Sequence, residues 1–278
     1  FDVGADDGFH GILFAFTNPK IKVFGFEPIK GSRALILKNL KKVEFFFGNK
    51  IKNYKIINCA VSDFNGFANF YEAEYKVASS LLRTKKKLDK KWTHSDDLLF
   101  KTITKGLKVR KKYKVKVITL ENFCKKHSVN KIHYLHIDAQ GQDLKVIKSL
   151  KKFKNKLIEG VAEVPKKKNF STYISEYAFQ KLKSSFKKWK LKITHIEDVH
   201  KNSPYVNVYF KNLNLTEDES VKFIYPKEFV SSNNLINEDS NSISFNYTNQ
   251  YSDNRFYGND LNDNTPRIIY GLENRFNL

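Results

Sequence analysis

The sequence predicts an α/β fold, a mostly parallel sheet with helices on both faces. Three observations predict it. Strand-like and helix-like segments alternate through the first two hundred residues, the pattern of parallel strands joined by helical crossovers. A turn bearing Gly4 and Gly8 follows one strand end and opens a helix. The residues with chemical potential fall at strand carboxyl ends, where open α/β sheets bind their ligands. With 41% hydrophobic residues over 278 positions, the chain can bury such a core.

Hydrophobic periodicity places the elements in order. Val3 ends a strand, and Gly8 to Asn18 forms a short helix. Ile21 to Phe26 is a strand. Ile29 to Lys41 is a helix, carrying Leu35, Ile36, Leu37 and Leu40. Tyr54 to Val61 and Ala68 to Tyr71 are strands. Residues 74–113, rich in Lys and holding Trp92 and His94, form a helical or loop insertion suited to substrate contact. Val115 to Ile118 is a strand, and Leu120 to Lys126 a helix. Ile132 to Asp138 is a strand, Asp143 to Phe153 a helix, and Leu157 to Val164 a strand. Tyr173 to Lys188 is a helix. Leu191 to Ile196 and Val206 to Phe210 close the sheet as an antiparallel pair. One domain therefore spans residues 1–211. Phe1 already lies near a strand end, so the domain reads as N-terminally truncated. Residues 212–278 form an Asn/Ser-rich acidic extension, partly ordered at best.

Charge narrows the partners. The formal net charge is +21, but only six of the 50 basic residues are Arg and 44 are Lys. Arg is the preferred residue for bidentate phosphate and base contacts, so a nucleic-acid partner is possible but not favoured. Scattered solvated lysines are the plain reading. An acidic partner, whether nucleic acid, anionic lipid or acidic glycan, is the other. The surplus is uneven: residues from 212 onward carry a net −5, leaving +26 on residues 1–211. No run of apolar residues is long enough to span a membrane. Cys59 and Cys124 lie far apart with no metal-like spacing, which fits a reduced, cytoplasmic protein. No His pair has ligand spacing, so no metal is expected.

The turn after the first strand carries the chemistry. Gly4 and Gly8 let the backbone turn tightly and let a ligand come close. Their G-x-x-x-G spacing is not the G-x-G-x-x-G of a dinucleotide pyrophosphate loop. Asp2, one step before the turn, suits an ammonium group. Glu27 ends the second strand, just before Pro28, where a carboxylate accepts both ribose hydroxyls of a nucleoside. Together these residues point to a nucleoside cofactor with an amino-acid end, S-adenosylmethionine.

With further motifs the chain resembles the FkbM family of S-adenosylmethionine-dependent methyltransferases. The matching pieces are Asp2-Val3-Gly4-Ala5 with Gly8, Phe26-Glu27-Pro28 and Asn39. Then come Ala60-Val61-Ser62-Asp63 with Gly66, Ser79-Ser80, Thr119-Leu120-Glu121, and Ile137-Asp138-Ala139-Gln140-Gly141. They follow the family's order and spacing from residue 1 to about 211. The resemblance implies a Rossmann-like class I methyltransferase fold, with a seven-stranded, mostly parallel sheet and an antiparallel last strand. It implies O-methylation of a sugar, glycolipid or polyketide-like hydroxyl, hence a small-molecule or glycan acceptor and a role in polysaccharide biosynthesis. Asp2, Gly4 and Gly8 would hold the methionine part of the cofactor and Glu27 the ribose. Ala60 and Asp63 would lie near the adenine, and Asp138 beside the departing methyl group.

Two positions depart from the family pattern. His136 stands where the family usually has Lys, and Asp143 where it usually has Glu. Alternation along a strand puts Tyr134, His136 and Asp138 on one face. An alcohol is a poor nucleophile until its proton leaves, so a base is needed. His136 and Asp138 are the first candidates, and Glu163, at the end of the fifth strand of the sheet, is the third. Two alternatives stand beside the O-methyltransferase: an RNA methyltransferase using the basic surface, and a non-catalytic relative that binds the cofactor without turnover. Ser203-Pro204-Tyr205 precedes the last strand and reads as a turn.

Overall fold

The computed structural model describes residues 1–86, 88, 104–199 and 203–215. Trp92, His94 and most of the 212–278 extension lie outside the described residues. The strands are, in chain order, β1 (Asp2–Val3), β2 (Val23–Phe26), β3 (Tyr54–Ile57), β4 (Ala60–Val61), β5 (Gly66–Ala73), β6 (Val109–Ile118), β7 (Ile132–Ile137), β8 (Leu157–Pro165), β9 (Leu191–Asp198) and β10 (Tyr205–Asn212). Five α-helices are described here: α1 (Phe9–Thr17), α2 (Lys30–Phe47), α3 (Leu120–Lys126), α4 (Asp143–Ser149) and α5 (Phe179–Trp189).

Seven strands form the main sheet in the order β3-β2-β1-β7-β8-β10-β9. Strands β3 to β8 in that row run parallel, and β10 runs antiparallel to both its neighbours. The antiparallel last strand expected from the sequence is thus β10, wedged between β8 and β9. Chain order reverses between β1 and β7, and that crevice at the strand carboxyl ends is where such sheets bind ligands.

Alternation along the strands divides the core in two. On β2, Phe24 and Phe26 pack into a cluster with Phe123 of α3, Leu144 and Ile147 of α4, and Leu182 and Phe186 of α5. Val23, one residue away and facing the opposite side, joins a second cluster with Ile12 of α1 and Ile36 and Val43 of α2. Helices therefore cover both faces. Ile36 and Val43 are fully buried, each contributing about 2 kcal/mol by leaving water.

A second, three-stranded sheet, β4-β6-β5, stands beside the main one. It corrects two expectations. The segment Tyr54 to Val61 is not one strand. The Cys59 amide donates to the Ile57 carbonyl at 2.9 Å, a tight turn that moves the chain from β3 into β4 and the second sheet. The insertion expected at 74–113 also ends early, because Val109 to Tyr113 already belong to the ten-residue β6. Lysines on the exposed half of β6 hide its alternation until Val115 and Val117 turn inward. Helix α5 begins at Phe179 rather than Tyr173, because residues 171–178 form a hydrogen-bonded turn with Ser175 at positive φ.

Candidate functional site

At the switch point, β1 runs out at Val3 and the chain turns through Gly4, whose φ is 81°. A Cβ on Gly4 would lie 1.9 Å from the Asp138 carbonyl oxygen, so glycine is what lets the ends of β1 and β7 meet. The turn continues through Asp6 and Gly8, both at positive φ. It is pinned from α2 by Asn39, which donates to the Asp7 carbonyl at 2.8 Å, and by Ser32, which donates to Asp6 at 3.2 Å.

Glu27 follows β2 and is buried. Its Oε2 accepts the Asp6 amide at 2.9 Å and its Oε1 the Ile29 amide at 2.7 Å. The nearby Arg33 guanidinium donates to the backbone carbonyls of Glu27 and Pro28. Burial pushes the Glu27 carboxyl up to about 8, against the lowering pull of the two amides. Each oxygen keeps a lone pair for another donor.

A narrow cavity of about 60 Å³ opens here. Gly4, Glu27, Ala60 and Asp138 line it, joined by Asp6, Lys76, Ser79, Gln140 and Gln142. The structure thus brings together four of the expected site residues from four chain segments. A buried carboxylate facing a cavity suits a vicinal diol, whose two hydroxyls would replace lost water. The chemistry of these donors and acceptors would suit a ribose.

Other expected residues lie elsewhere. Val3 lines this cavity, so alternation turns the neighbouring Asp2 to the other face. There its Oδ2 accepts the Gly11 amide of α1 at 3.1 Å, and its Oδ1 meets His136 Nδ1 at 2.9 Å. The His136 ring stacks on His10 with centroids 4.0 Å apart. Both Asp2 and His136 line a separate cavity between α1 and β7. His136 and Asp138 do not share a face because β7 stops at Ile137 and the following turn re-aims Asp138. Gly8 is packed under Ile36. Asp63 lies exposed beyond β4, its side chain receiving the Ser62 hydroxyl at 3.4 Å. Glu163 is half-buried on β8, and its amide donates to Asp143 at 3.1 Å.

Asp138 has supports that sequence reasoning missed. Gln140, at φ 49°, donates from Nε2 to Asp138 Oδ1 at 2.6 Å. Its Oε1 accepts the hydroxyl of the buried Tyr173 at 2.7 Å. Ser80 donates to the Gln140 carbonyl at 2.7 Å, fixing the same turn from the connection between β5 and β6. Tyr173 is held in turn by Glu176, which accepts its amide at 3.2 Å and the Tyr205 hydroxyl at 2.9 Å. Asp143 is buried, and desolvation, then the Asp138 charge, raise its carboxyl well above the ordinary range. The run Ser171-Thr172-Tyr173 with Glu176 was the available signal, and it reads equally as a helix start.

Among the described residues, no group of His, Cys, Asp or Glu is arranged to hold a metal ion, and no helix is long and apolar enough to cross a membrane. Residues 2–180 match a family model described as the methyltransferase FkbM domain. Residues 220–278, outside the described residues, match a second model, described as LPS transport system D. No curated protein and no solved structure matches the chain.

Proposed function

The chain belongs to the FkbM methyltransferase family, whose model spans residues 2–180, and from that premise we propose that it uses S-adenosylmethionine to methylate a hydroxyl of a sugar, glycolipid or related metabolite. The observation that carries this reading is the buried Glu27 carboxylate facing the cavity at the strand switch point. Glu27 would hold the ribose hydroxyls, and Gly4 and Ala60 would line the cofactor's path. When bound, S-adenosylmethionine supplies a methyl group activated by its sulfonium charge.

Among the three base candidates, Asp138 is the one that lines this cavity. Gln140 holds one of its oxygens at 2.6 Å, which fixes the carboxylate for taking the proton an acceptor hydroxyl must lose. The match of residues 220–278 to a model named for LPS transport lends smaller support to a glycolipid acceptor.

Calorimetric titration of S-adenosylmethionine into the wild-type chain and Glu27→Ala tests the reading. Two charge-assisted hydrogen bonds are lost in the variant, so affinity should fall on the order of a hundredfold. Equal binding by both proteins, or binding by neither, would sink the donor assignment.

A further inference from the structure

Beside the cavity, and sharing Pro28, Ile29 and Lys76 with it, lies a wider cleft of about 690 Å³. One wall is the start of α2, with Lys30 and Arg33. The other is the small sheet, with Lys111, Lys114 and Lys116 on β6 and Phe67 on β5. In all, seven Lys and Arg residues line the cleft against one lining carboxylate among the described residues, Glu72. Glu72 is already matched by Arg110 and by the Tyr113 hydroxyl. Arg33 is committed to the carbonyls of Glu27 and Pro28. What remains is a set of exposed lysines around the cleft, Lys114 and Lys116 on one face of β6, Lys111 on the other, and Lys30 and Lys76 from outside the sheet. Such a set repels itself and attracts an anion.

The cleft also carries an apolar surface. Phe67 is 71% exposed and is the cross-strand partner of Lys116, so ring and ammonium share a face. Lys114, two residues along β6, lies on that face too. An exposed ring beside two ammonium groups suits a saccharide, which stacks through its C–H face and carries its charge on a substituent.

Resting on the donor reading above, we propose that this cleft holds the methyl acceptor and that the acceptor is an anionic saccharide, bearing a phosphate or a carboxylate. Its charge lies among the lysines and its ring on Phe67. A nucleic acid fits less well. It needs a charged track with successive aromatic platforms, whereas among the described residues this cleft offers one exposed ring, Phe67, and its two arginines already serve protein partners.

The full chain is titrated with glucose 1-phosphate, glucuronate, uncharged glucose and a single-stranded RNA decamer, at low and high NaCl. The same titrations are run on Lys114→Glu/Lys116→Glu and on Phe67→Ala. At least one anionic sugar should bind, more tightly than glucose by about tenfold or more, and more weakly as salt rises. The stronger of the two identifies the anion as phosphate or carboxylate. Both variants should lose that binding by about tenfold, with S-adenosylmethionine affinity as the folding control. Glucose binding as well as either anionic sugar, binding of neither, unchanged affinity in both variants, or tighter binding of the RNA would each overturn the proposal. Failure of the wild-type chain to bind S-adenosylmethionine is a separate result. It would remove the donor reading while the sugar titrations still reported on the cleft.

Discussion

Asp138 is held by residues distant from it in sequence. Tyr173 reaches it through Gln140, in a chain of hydrogen bonds of 2.7 and 2.6 Å. In Tyr173→Phe, Gln140 Oε1 loses its donor and the hydroxyl's contact with the Ala78 carbonyl goes too, leaving Gln140 held by Asp138 and Ser80. We expect kcat to fall about tenfold, the size of one lost buried hydrogen bond, while the affinity for S-adenosylmethionine stays unchanged. A matched fall in donor affinity would show a structural role for Tyr173 instead. Glu27 and Gly4 were legible in the sequence, because a strand end followed by a glycine turn or by proline leaves few places for a side chain to go. Asp2 and His136 were not. One residue of alternation decides which face a side chain takes, and the sequence does not show that β7 stops at Ile137. The Tyr173 support was hidden for a different reason: Gln140 and Ala78 lie far from it in sequence, and its local run with Glu176 reads equally as a helix start.

Among the elements, one side chain joins the backbone hydrogen bonds and apolar packing that hold the junction of α1, β2 and β3. Asn53 Nδ2 lies within 2.8 to 3.0 Å of the carbonyls of Ala15, Asn18 and Ile21, its two hydrogens shared among the three. It thereby ties the end of a helix and the approach to the next strand to the start of β3. Asn53→Ala should cost about 1–3 kcal/mol in chemical unfolding, and Asn53→Asp more, since a carboxylate would face three carbonyl oxygens. A neutral Asn53→Ala would mean that water replaces the amide without loss. Most elements were legible because apolar residues recur at helix or strand spacing. The exceptions share a cause. In β6 the exposed lysines outnumber the inward-facing valines, and in the β3–β4 turn Ile56-Ile57 and Ala60-Val61 flank Asn58, whose lone turn signal is all that marks the break.

For the whole molecule, the strand order β3-β2-β1-β7-β8-β10-β9 makes one crevice where β1 and β7 diverge. The cavity beside Glu27 sits there and the basic cleft opens beside it. The sequence showed the alternation that builds this sheet. It also showed the excess of lysine, but not that lysines gather beside the site, because that depends on a second sheet whose pairing is long-range. The state of Glu27 links the fold to its ligand. Its folded carboxyl titrates near 8 against an ordinary 4.5. Its contribution to stability is therefore complete below about 4.5 and is lost as pH rises through about 8. A diol donating to the carboxylate would favour the ionised form, so binding near neutral pH should expel the proton. The most direct measurement is calorimetry of S-adenosylmethionine binding at about pH 7 in buffers of different ionisation heat. The account predicts release of close to one proton by the wild-type chain and none by Glu27→Gln. Binding without proton release, at the same affinity in both proteins, would contradict it.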